Sequence, residues 1–282
     1  MPSEPPVIAA SDDGHEIPDV GEWAEDKGRL LAYYCEEFAT SMKDSWDERV
    51  YIDLFAGAGK VRARETGKVL LGSPLLALAV RHPFDRYIFC EQAPERLEAL
   101  KRRVDDVHRT AQVCYIPGDV NSHTEQILQA MPSYSKSHKV LGFCFADPFN
   151  LKNLRFATIK TLATRYMDFL MLIPAMDPQR AWRKYLNPGN HTVDDFLGTP
   201  DWRAEWQREN PQPSPSVFVA RILDRRMKEL GFTHGGFPEA VLVRSTAKNA
   251  PLYRLGFFTK HPLGDKFWRQ AKKGTSAQGK LF

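Results

Sequence analysis

The sequence predicts an α/β protein in which a mainly parallel sheet is doubly wound, with helices on both faces. Short apolar segments alternate with segments of helical spacing along most of the chain. One apolar segment, 51–54, runs directly into a glycine turn at 57–59. The 282 residues are 43% hydrophobic and 26% charged, ordinary values that exclude a disordered, collagen-like or coiled-coil protein as a whole.

Apolar runs predict the strands, and apolar residues three and four apart predict the helices. The predicted strands are 50–55, 87–91, 113–116, 140–146, 169–173, 240–245 and 252–259. The predicted helices are 19–42, 72–80, 94–107, 124–131, 156–164, 215–230 and 264–270. Lys248, Asn249 and Ala250 are turn-forming residues between the last two strands. Because strand and helix alternate as far as residue 173, we expect a parallel sheet.

Three regions depart from this alternation. Residues 1–18 are rich in proline and acidic residues, which predicts a disordered acidic tail. Residues 19–282 are expected to form a single domain that starts with a helix. Within it, residues 174–237 form a polar, proline-containing insertion, or lid, after the fifth predicted strand.

Charge is unevenly distributed. Residues 1–30 carry eight acidic residues against two basic ones, so a net charge of −6 there leaves +10 for the other 252 residues. Five basic residues crowd the C-terminal end around Asp265: Lys266, Arg269, Lys272, Lys273 and Lys280. A basic body favours a nucleic-acid partner, and an ordinary solvated surface is the alternative.

Cysteine usage and hydropathy predict the compartment. The four cysteines are widely separated in apolar surroundings without metal-ligand spacing, so we expect reduced core residues and no metal. No apolar stretch approaches membrane-spanning length, and the acidic N-terminus lacks the features of a secretion signal. The sequence therefore predicts a cytoplasmic protein without a membrane segment.

The strongest motif is D-x-F-A-G-x-G at 53–59, where glycines let a ligand approach the backbone. A nicotinamide dinucleotide fingerprint would place a third glycine where Arg62 stands. The motif instead resembles motif I of the class I S-adenosylmethionine-dependent methyltransferases, which have a Rossmann-like fold. The resemblance implies that S-adenosylmethionine is the cofactor, with a purely structural turn as the alternative. The cofactor-binding residues it implies are Asp53, Phe55, Ala56, Gly57 and Gly59.

The next two predicted strands also end in polar residues, where a doubly wound fold binds its ligand. Glu91, followed by Gln92, can accept the hydrogens of both ribose hydroxyls. Asp119 can accept the adenine amino group, and Val120 can stack on the ring. The alternatives are a solvated residue next to a helix start for Glu91 and a helix-capping turn for Asp119.

The fourth predicted strand is followed by Asp147, Pro148, Phe149 and Asn150. This segment resembles the D-P-P-Y/F motif of amino methyltransferases that act on adenine or glutamine. Phe149 stands where that motif has its second proline, and Asn150 replaces the aromatic residue. The resemblance implies that Asp147, Pro148 and Phe149 are catalytic, with the carboxylate orienting the attacking amine.

Two further groups are candidate substrate contacts. Arg62 and Arg64 lie in the connector 60–71, which can form a basic flap over the cofactor cleft or an ordinary solvated loop. Asp177 and Arg180 follow the fifth predicted strand at the same sheet edge, close to tryptophans that can stack on bases or pack the insertion.

Taken together, these motifs resemble the three-Cys-motif partner (TcmP) family of bacterial proteins. The matching segments are YIDLFAGAGK at 51–60, GSPLLAL at 72–78, GDVN at 118–121, DPF at 147–149 and LYRLGFFTKHPLGDKFW at 252–268. The resemblance extends from about residue 20 to near the end of the chain. It implies a methyltransferase core and a three-cysteine radical-type protein as partner.

The leading hypothesis is an S-adenosylmethionine-dependent methyltransferase that acts on nucleic acid. One alternative is an accessory protein that binds the cofactor without catalysis and acts on its three-cysteine partner. Another is a small-molecule methyltransferase whose lid is the insertion 174–237.

Overall fold

The computed structural model describes residues 8–21, 23–107, 109–245 and 249–276, with side chains as far as Lys273. It contains two compact units, one formed by residues 1–145 and 266–282 and the other by residues 146–265. Compact units are not the same as independently folding domains, so the single domain over 19–282 stays a prediction.

The first unit contains the predicted alternation of strands and helices. Its elements are β1 (Asp19–Val20), α1 (Trp23–Met42), β2 (Glu48–Asp53), β3 (Lys60–Ala63), β4 (Val69–Leu71), α2 (Ser73–Leu78), β5 (Arg86–Glu91), α3 (Pro94–Val107), β6 (Val113–Pro117), α4 (Thr124–Ala130) and β7 (Val140–Ala146), whose last residue belongs to the second unit. The strands β2, β5, β6 and β7 and the helices α1 to α4 match predicted elements to within a few residues.

These four strands form a parallel sheet in the order β7-β2-β5-β6. Asp53, the last residue of β2, pairs with Phe89 of β5 on one side and with Phe145 of β7 on the other. The chain leaves β2 towards β5 and β6 and later returns to the opposite side of β2. The predicted doubly wound α/β fold is confirmed, and the carboxyl end of β2 lies at the switch point where such folds bind ligands.

An aromatic cluster fills one side of this sheet. Phe143 of β7 is fully buried, and its ring centroid lies 4.8 Å from that of Tyr34, 5.5 Å from that of Phe38 and 5.7 Å from that of Tyr51. Buried aromatic residues contribute large apolar areas, and tilted pairs at these distances add to that contribution. The cluster holds α1 against β2 and β7.

Phe143→Ala is expected to lower the free energy of unfolding by about 3–5 kcal/mol, because it removes a buried ring at the centre of this cluster. Val107→Ala is the control: its side chain is exposed, and a change within about 0.5 kcal/mol is expected. Urea unfolding with an unchanged m-value measures both. Equal losses in the two variants would contradict the central position of Phe143.

The connector 60–71 is a β-hairpin, whereas no strands were predicted in it. Strands β3 and β4 pair antiparallel, and β1 adds to β3 in parallel. Arg62 forms an ion pair with Asp12 at 2.7 Å, whereas Arg64 is exposed at the hairpin's end. The sequence analysis missed these strands because each is only three or four residues long.

The N-terminal segment also differs from the predicted disordered tail, from Ile8 onward. The Leu71 N–H donates to the Ile8 carbonyl at 2.8 Å, and the Ala10 N–H donates to the Val69 carbonyl at 3.0 Å. The Pro18 carbonyl accepts the Arg62 N–H at 2.9 Å. The hairpin's edges thus supply backbone partners to this segment, and residues 1–7 lie outside the described part of the chain.

The second unit joins antiparallel strands to a group of helices. Its elements are α5 (Phe156–Leu162), β8 (Met167–Pro174), α6 (Met176–Tyr185), α7 (Thr192–Leu197), α8 (Trp202–Arg208), α9 (Pro215–Glu229), β9 (His234–Gly235), β10 (Val241–Arg244) and β11 (Pro251–Thr259), with short 3-10 helices at Leu151–Asn153 and Phe237–Glu239. Strand β11 pairs antiparallel with β8, β9 and β10. A final helix, α10 (Pro262–Ser276), begins in this unit and continues in the first.

Tryptophans form the core of the helical insertion. Trp182 of α6 lies 5.1 Å from Trp202 and 4.8 Å from Trp206 of α8, measured between ring centroids, and Trp206 lies 5.1 Å from Phe218 of α9. All four rings are buried. These tryptophans therefore pack the insertion and are not exposed for stacking on bases.

Two residues named in the sequence predictions lie outside the described residues. They are Lys248, in the predicted turn before β11, and Lys280, in the C-terminal basic cluster. Within the described residues, no helix combines the length and apolar character needed to cross a membrane.

Candidate functional site

The predicted glycine turn lies at the switch point of the sheet. Gly57 and Gly59 have φ angles of +64° and +82°, a left-handed conformation that glycine adopts without strain. The Ala56 N–H donates to the Cys90 carbonyl at 2.9 Å, which fixes the turn to the end of β5. The Gly72 N–H donates to the Gly59 carbonyl at 2.7 Å, which fixes it to the start of α2.

One side of this turn is open to a ligand. A Cβ atom at Gly57 would meet no atom within 4 Å. Within the described residues, the N–H groups of Ala58 and Gly59 donate no hydrogen bond. Open space beside unused backbone donors is the arrangement that an anionic or polar ligand group can occupy.

Glu91, at the carboxyl end of β5, binds the turn directly. One of its carboxylate oxygens accepts the Gly57 N–H at 2.7 Å, and the other accepts the Ala93 N–H at 2.8 Å. A carboxylate has about four lone-pair sites, so each oxygen can accept another hydrogen bond. The structure therefore brings the predicted ribose acceptor against the predicted glycine turn.

Asp53 has a different position from the one expected of a ligand contact. Its side chain is fully buried, and its carboxylate accepts the Phe55 N–H at 3.1 Å and the Tyr51 hydroxyl at 3.2 Å. Burial, with the Asp53 charge as the second cause, raises the pKa of Tyr51 well above its usual range, so the phenol stays a donor. Asp53 thereby fixes the path of the chain into the turn.

The remaining predicted cofactor residues differ in exposure. Phe55 is half-buried and Ala56 is buried within the turn, whereas Gln92 is exposed beside Glu91. Val120, predicted to stack on adenine, is 2% exposed. Asp119 is half-buried in the turn that follows β6.

The Asp119 carboxylate forms its hydrogen bonds within its own turn and does not cap α4, whose N-cap residue is His123. One oxygen accepts the backbone N–H and the hydroxyl of Ser122, both at 3.1 Å, and the other accepts the Asn121 amide at 3.3 Å. These bonds stabilise the turn that leads to α4. Contact of Asp119 with adenine stays a prediction.

In the second unit, the predicted catalytic segment begins directly after β7. Asp147 is half-buried, Pro148 is buried, and the Phe149 side chain is 92% exposed. The Asn150 side-chain oxygen accepts a hydrogen bond from the Lys152 N–H. The Asn150 N–H in turn donates to the side-chain oxygen of Asn153. Among the exposed large apolar side chains of the described residues, that of Phe149 is the most exposed.

Asp177, predicted to contact the substrate, anchors this loop. Its carboxylate accepts the Leu151 N–H at 3.0 Å and the Tyr185 hydroxyl at 2.8 Å. Burial, followed by these interactions with Asp177, raises the pKa of Tyr185, which keeps the hydroxyl protonated. The first turn of α6 is thereby joined to the segment that follows Phe149.

One face of α6 is basic and exposed. Arg180, Arg183 and Lys184 are three and four residues apart, so they share that face. Their side chains have no ion-pair partner among the described residues. This face extends from the turn that Asp177 attaches to the Phe149 loop.

The three buried cysteines, Cys35, Cys90 and Cys144, do not provide a nucleophile. Burial raises the pKa of Cys90 to about 12 and raises the pKa values of Cys35 and Cys144 well above the usual range. A thiol in this state is protonated and inert at neutral pH. Across the described ranges, no group of His, Cys, Asp and Glu side chains is arranged to hold a metal ion.

Arg103 and Asp13 also lie at this site, and neither was predicted from the sequence. Arg103 is 3% exposed on α3, and its guanidinium donates to the Asp13 carboxylate at 2.6 and 2.8 Å and to the Ala58 carbonyl at 2.5 Å. The sequence feature that could have indicated a buried arginine is the position of Arg103, three residues after Leu100 on the apolar face of a predicted helix.

The two glycines are expected to differ in their tolerance of a side chain. Gly57→Ala adds backbone strain of about 1–2 kcal/mol in open space. Gly59→Ala adds the same strain together with a contact 2.9 Å from Leu100, so it is expected to be more destabilising by about 1–3 kcal/mol. Denaturant unfolding of both variants tests this order, and a Gly57→Ala protein that is the less stable of the two would contradict it.

No protein-family model matches the chain, and no curated protein matches it. Among solved structures, a Legionella pneumophila protein of the DUF519 family is 14% identical, with 90% of this chain and 92% of that chain covered and a TM-score of 0.55. At this identity the likeness shows the fold alone, and the resemblance to the TcmP family stays a prediction.

Two other solved structures are more distant. A Bacillus cereus O-methyltransferase in complex with SAH is 10% identical, with 88% and 84% of the chains covered and a TM-score of 0.45. A Pyrococcus horikoshii protein, described as a candidate RNA methyltransferase, is 14% identical, with 83% and 81% covered and a TM-score of 0.39. TM-scores below 0.5 support no conclusion about this chain.

Proposed function

We propose that this chain is an S-adenosylmethionine-dependent methyltransferase that acts on nucleic acid. The observation that carries the proposal is the hydrogen bond between Glu91 and the Gly57 N–H at the switch point of the parallel sheet. It joins a ribose-type acceptor to an open glycine turn, the combination a nucleoside cofactor requires.

The residues fit S-adenosylmethionine better than a dinucleotide. Glu91 retains lone pairs for two ribose hydroxyls, and the N–H groups of Ala58 and Gly59 suit the cofactor's carboxylate. After Gly59 the chain enters strand β3, whereas a dinucleotide fold continues into a helix whose N-terminus binds the pyrophosphate. The glycine turn and Glu91 therefore favour one nucleoside with a charged amino-acid tail.

When bound, S-adenosylmethionine supplies a methyl group on a sulfonium that is already activated for transfer. The chain's own residues must align the attacking atom with the methyl group and allow that atom to release its proton. Asp147 comes two residues after Phe145, the residue that pairs with Asp53. In our proposal its carboxylate accepts a hydrogen bond from the substrate amine and orients the nitrogen lone pair.

Asp147→Asn is expected to lower the methyl-transfer rate by about 100-fold or more, because misplacing the attacking atom by an ångström has an effect of that size. Its SAH affinity, measured by calorimetry, should stay within roughly threefold of the wild type because Asp147 does not hold the cofactor. Asp106→Asn, on the exposed end of α3, is the matched control. Parallel losses of rate and SAH affinity would contradict the orienting role.

The second unit supports nucleic acid as the substrate class. Phe149 offers an exposed ring on which a base can stack, and Arg180 and Arg183 can bind phosphates. Asp177 binds the segment after Phe149 to the first turn of α6, and in our proposal the ring and the basic face contact the same nucleic acid. A small-molecule substrate has no need of this exposed combination. A three-cysteine radical-type protein as partner stays a prediction of the family resemblance.

The double variant Arg180→Gln/Arg183→Gln is expected to weaken nucleic-acid binding and to reduce the slope of log K against log salt by about two, one for each lost phosphate contact. Arg208→Gln is the control, since Arg208 is equally exposed on α8. Filter binding of single-stranded RNA and DNA at several salt concentrations gives the slopes. Wild-type binding that is independent of salt would exclude a nucleic-acid substrate.

A further inference from the structure

The N-terminal segment 8–20, which we name the strap, carries acidic residues onto the basic hairpin β3–β4. Asp12 forms an ion pair with Arg62 at 2.7 Å, and Asp13 forms one with Lys60 at 2.8 Å. Lys60 also donates to the Ser11 carbonyl at 2.9 Å. The strap is therefore held both by backbone pairing and by charge.

One strap residue has an additional partner, Arg103 of α3. Two guanidinium nitrogens donate to the two oxygens of Asp13, at 2.8 and 2.6 Å. The third nitrogen donates to the carbonyls of Glu16, at 2.8 Å, and Ala58, at 2.5 Å. A planar guanidinium in this position links the strap on one side to the glycine turn on the other.

The contact with Ala58 fixes the orientation of one peptide plane. The Ala58 carbonyl and the Gly59 N–H belong to the same planar trans peptide unit, so they point in opposite directions. Because Arg103 binds the carbonyl, the Gly59 N–H points away from Arg103. That N–H is one of the two turn donors without a hydrogen bond among the described residues.

Arg103 depends on Asp13 for this position. The Arg103 side chain is 3% exposed, and a buried guanidinium requires a close carboxylate. Among the described residues, Asp13 is the carboxylate that binds it. Without that charge, the guanidinium gains by moving towards water, which releases the Ala58 carbonyl and frees the peptide to rotate.

We infer that Arg103 is a positioning residue for the cofactor turn and that Asp13 orients it, so that Asp13 is the strap's contribution to the cofactor site. This inference rests on the proposed function, because the ligand it concerns is S-adenosylmethionine or its product SAH.

The test is calorimetric titration of SAH into the full-length wild type and two strap variants. Asp13→Asn is expected to weaken binding about tenfold or more, equivalent to about 1.4 kcal/mol. Asp12→Asn is the matched control, because Asp12 pairs with Arg62 and does not contact Arg103. Its SAH affinity should stay within roughly threefold of the wild type.

The outcomes separate the two proposals. A wild type that binds no SAH contradicts the proposed function itself. A wild type that binds SAH while the two variants lose equal affinity, or none, overturns the strap inference and leaves the function standing. Thermal unfolding midpoints are recorded for both variants, because a purely structural role would shift the Asp13→Asn midpoint without a change in SAH affinity.

A second measurement needs no variant and covers the case in which Asp13→Asn fails to fold. Hydrogen exchange of the wild-type strap is followed with and without saturating SAH. If the strap is part of the site, binding must slow exchange at the Ala10 amide, which pairs with β4. Exchange that is unchanged at saturation would overturn the inference.

Discussion

The carboxylate of Glu91 holds together the parts of the first unit on which the proposed chemistry depends. It ends β5, and its two oxygens bind the Gly57 N–H in the turn after β2 and the Ala93 N–H at the start of α3. Charge-assisted bonds to backbone donors are short and strong, and here they join two adjacent strand ends. The glycine turn is fixed to the ends of β5 and α3 because this carboxylate accepts a backbone N–H from each side.

Charge compensation gives the two units different surfaces. Two basic residues of the β3–β4 hairpin are paired with the strap, Arg62 with Asp12 and Lys60 with Asp13. Arg64 stays exposed, so the strap neutralises part of the hairpin's positive charge. The exposed basic face of α6 in the second unit has no such acidic cover among the described residues, and this difference places the proposed substrate surface there.

The sequence was informative where a local pattern has one physical solution. The buried strand β7 is a continuous apolar run, and a glycine turn after Asp53 requires left-handed backbone, so both were predictable. The hairpin strands are too short for periodicity to show. The ordered strap was missed because its composition is typical of disorder, and its partner Arg103 lies 90 residues from Asp13.

For the site residues too, the position along a strand was predictable, whereas the hydrogen-bond partner distant in sequence was not. Glu91 was placed correctly at a strand end, but its bond to Gly57 spans 34 residues and is visible only in the fold. Asp177 follows the fifth predicted strand, as expected, but its carboxylate accepts the Leu151 N–H and so holds the Phe149 loop. A residue's chemistry can be anticipated from its type, whereas its partner is set by packing that no local pattern contains.

The most direct test of the account is calorimetric titration of the wild type and of Glu91→Ala with SAH, with NAD as the competing ligand. The account predicts micromolar SAH binding by the wild type, loss of that binding in Glu91→Ala, and no binding of NAD. Equal binding of SAH by both proteins, or binding of NAD in preference to SAH, would contradict the assignment of the glycine turn and Glu91 as an S-adenosylmethionine site.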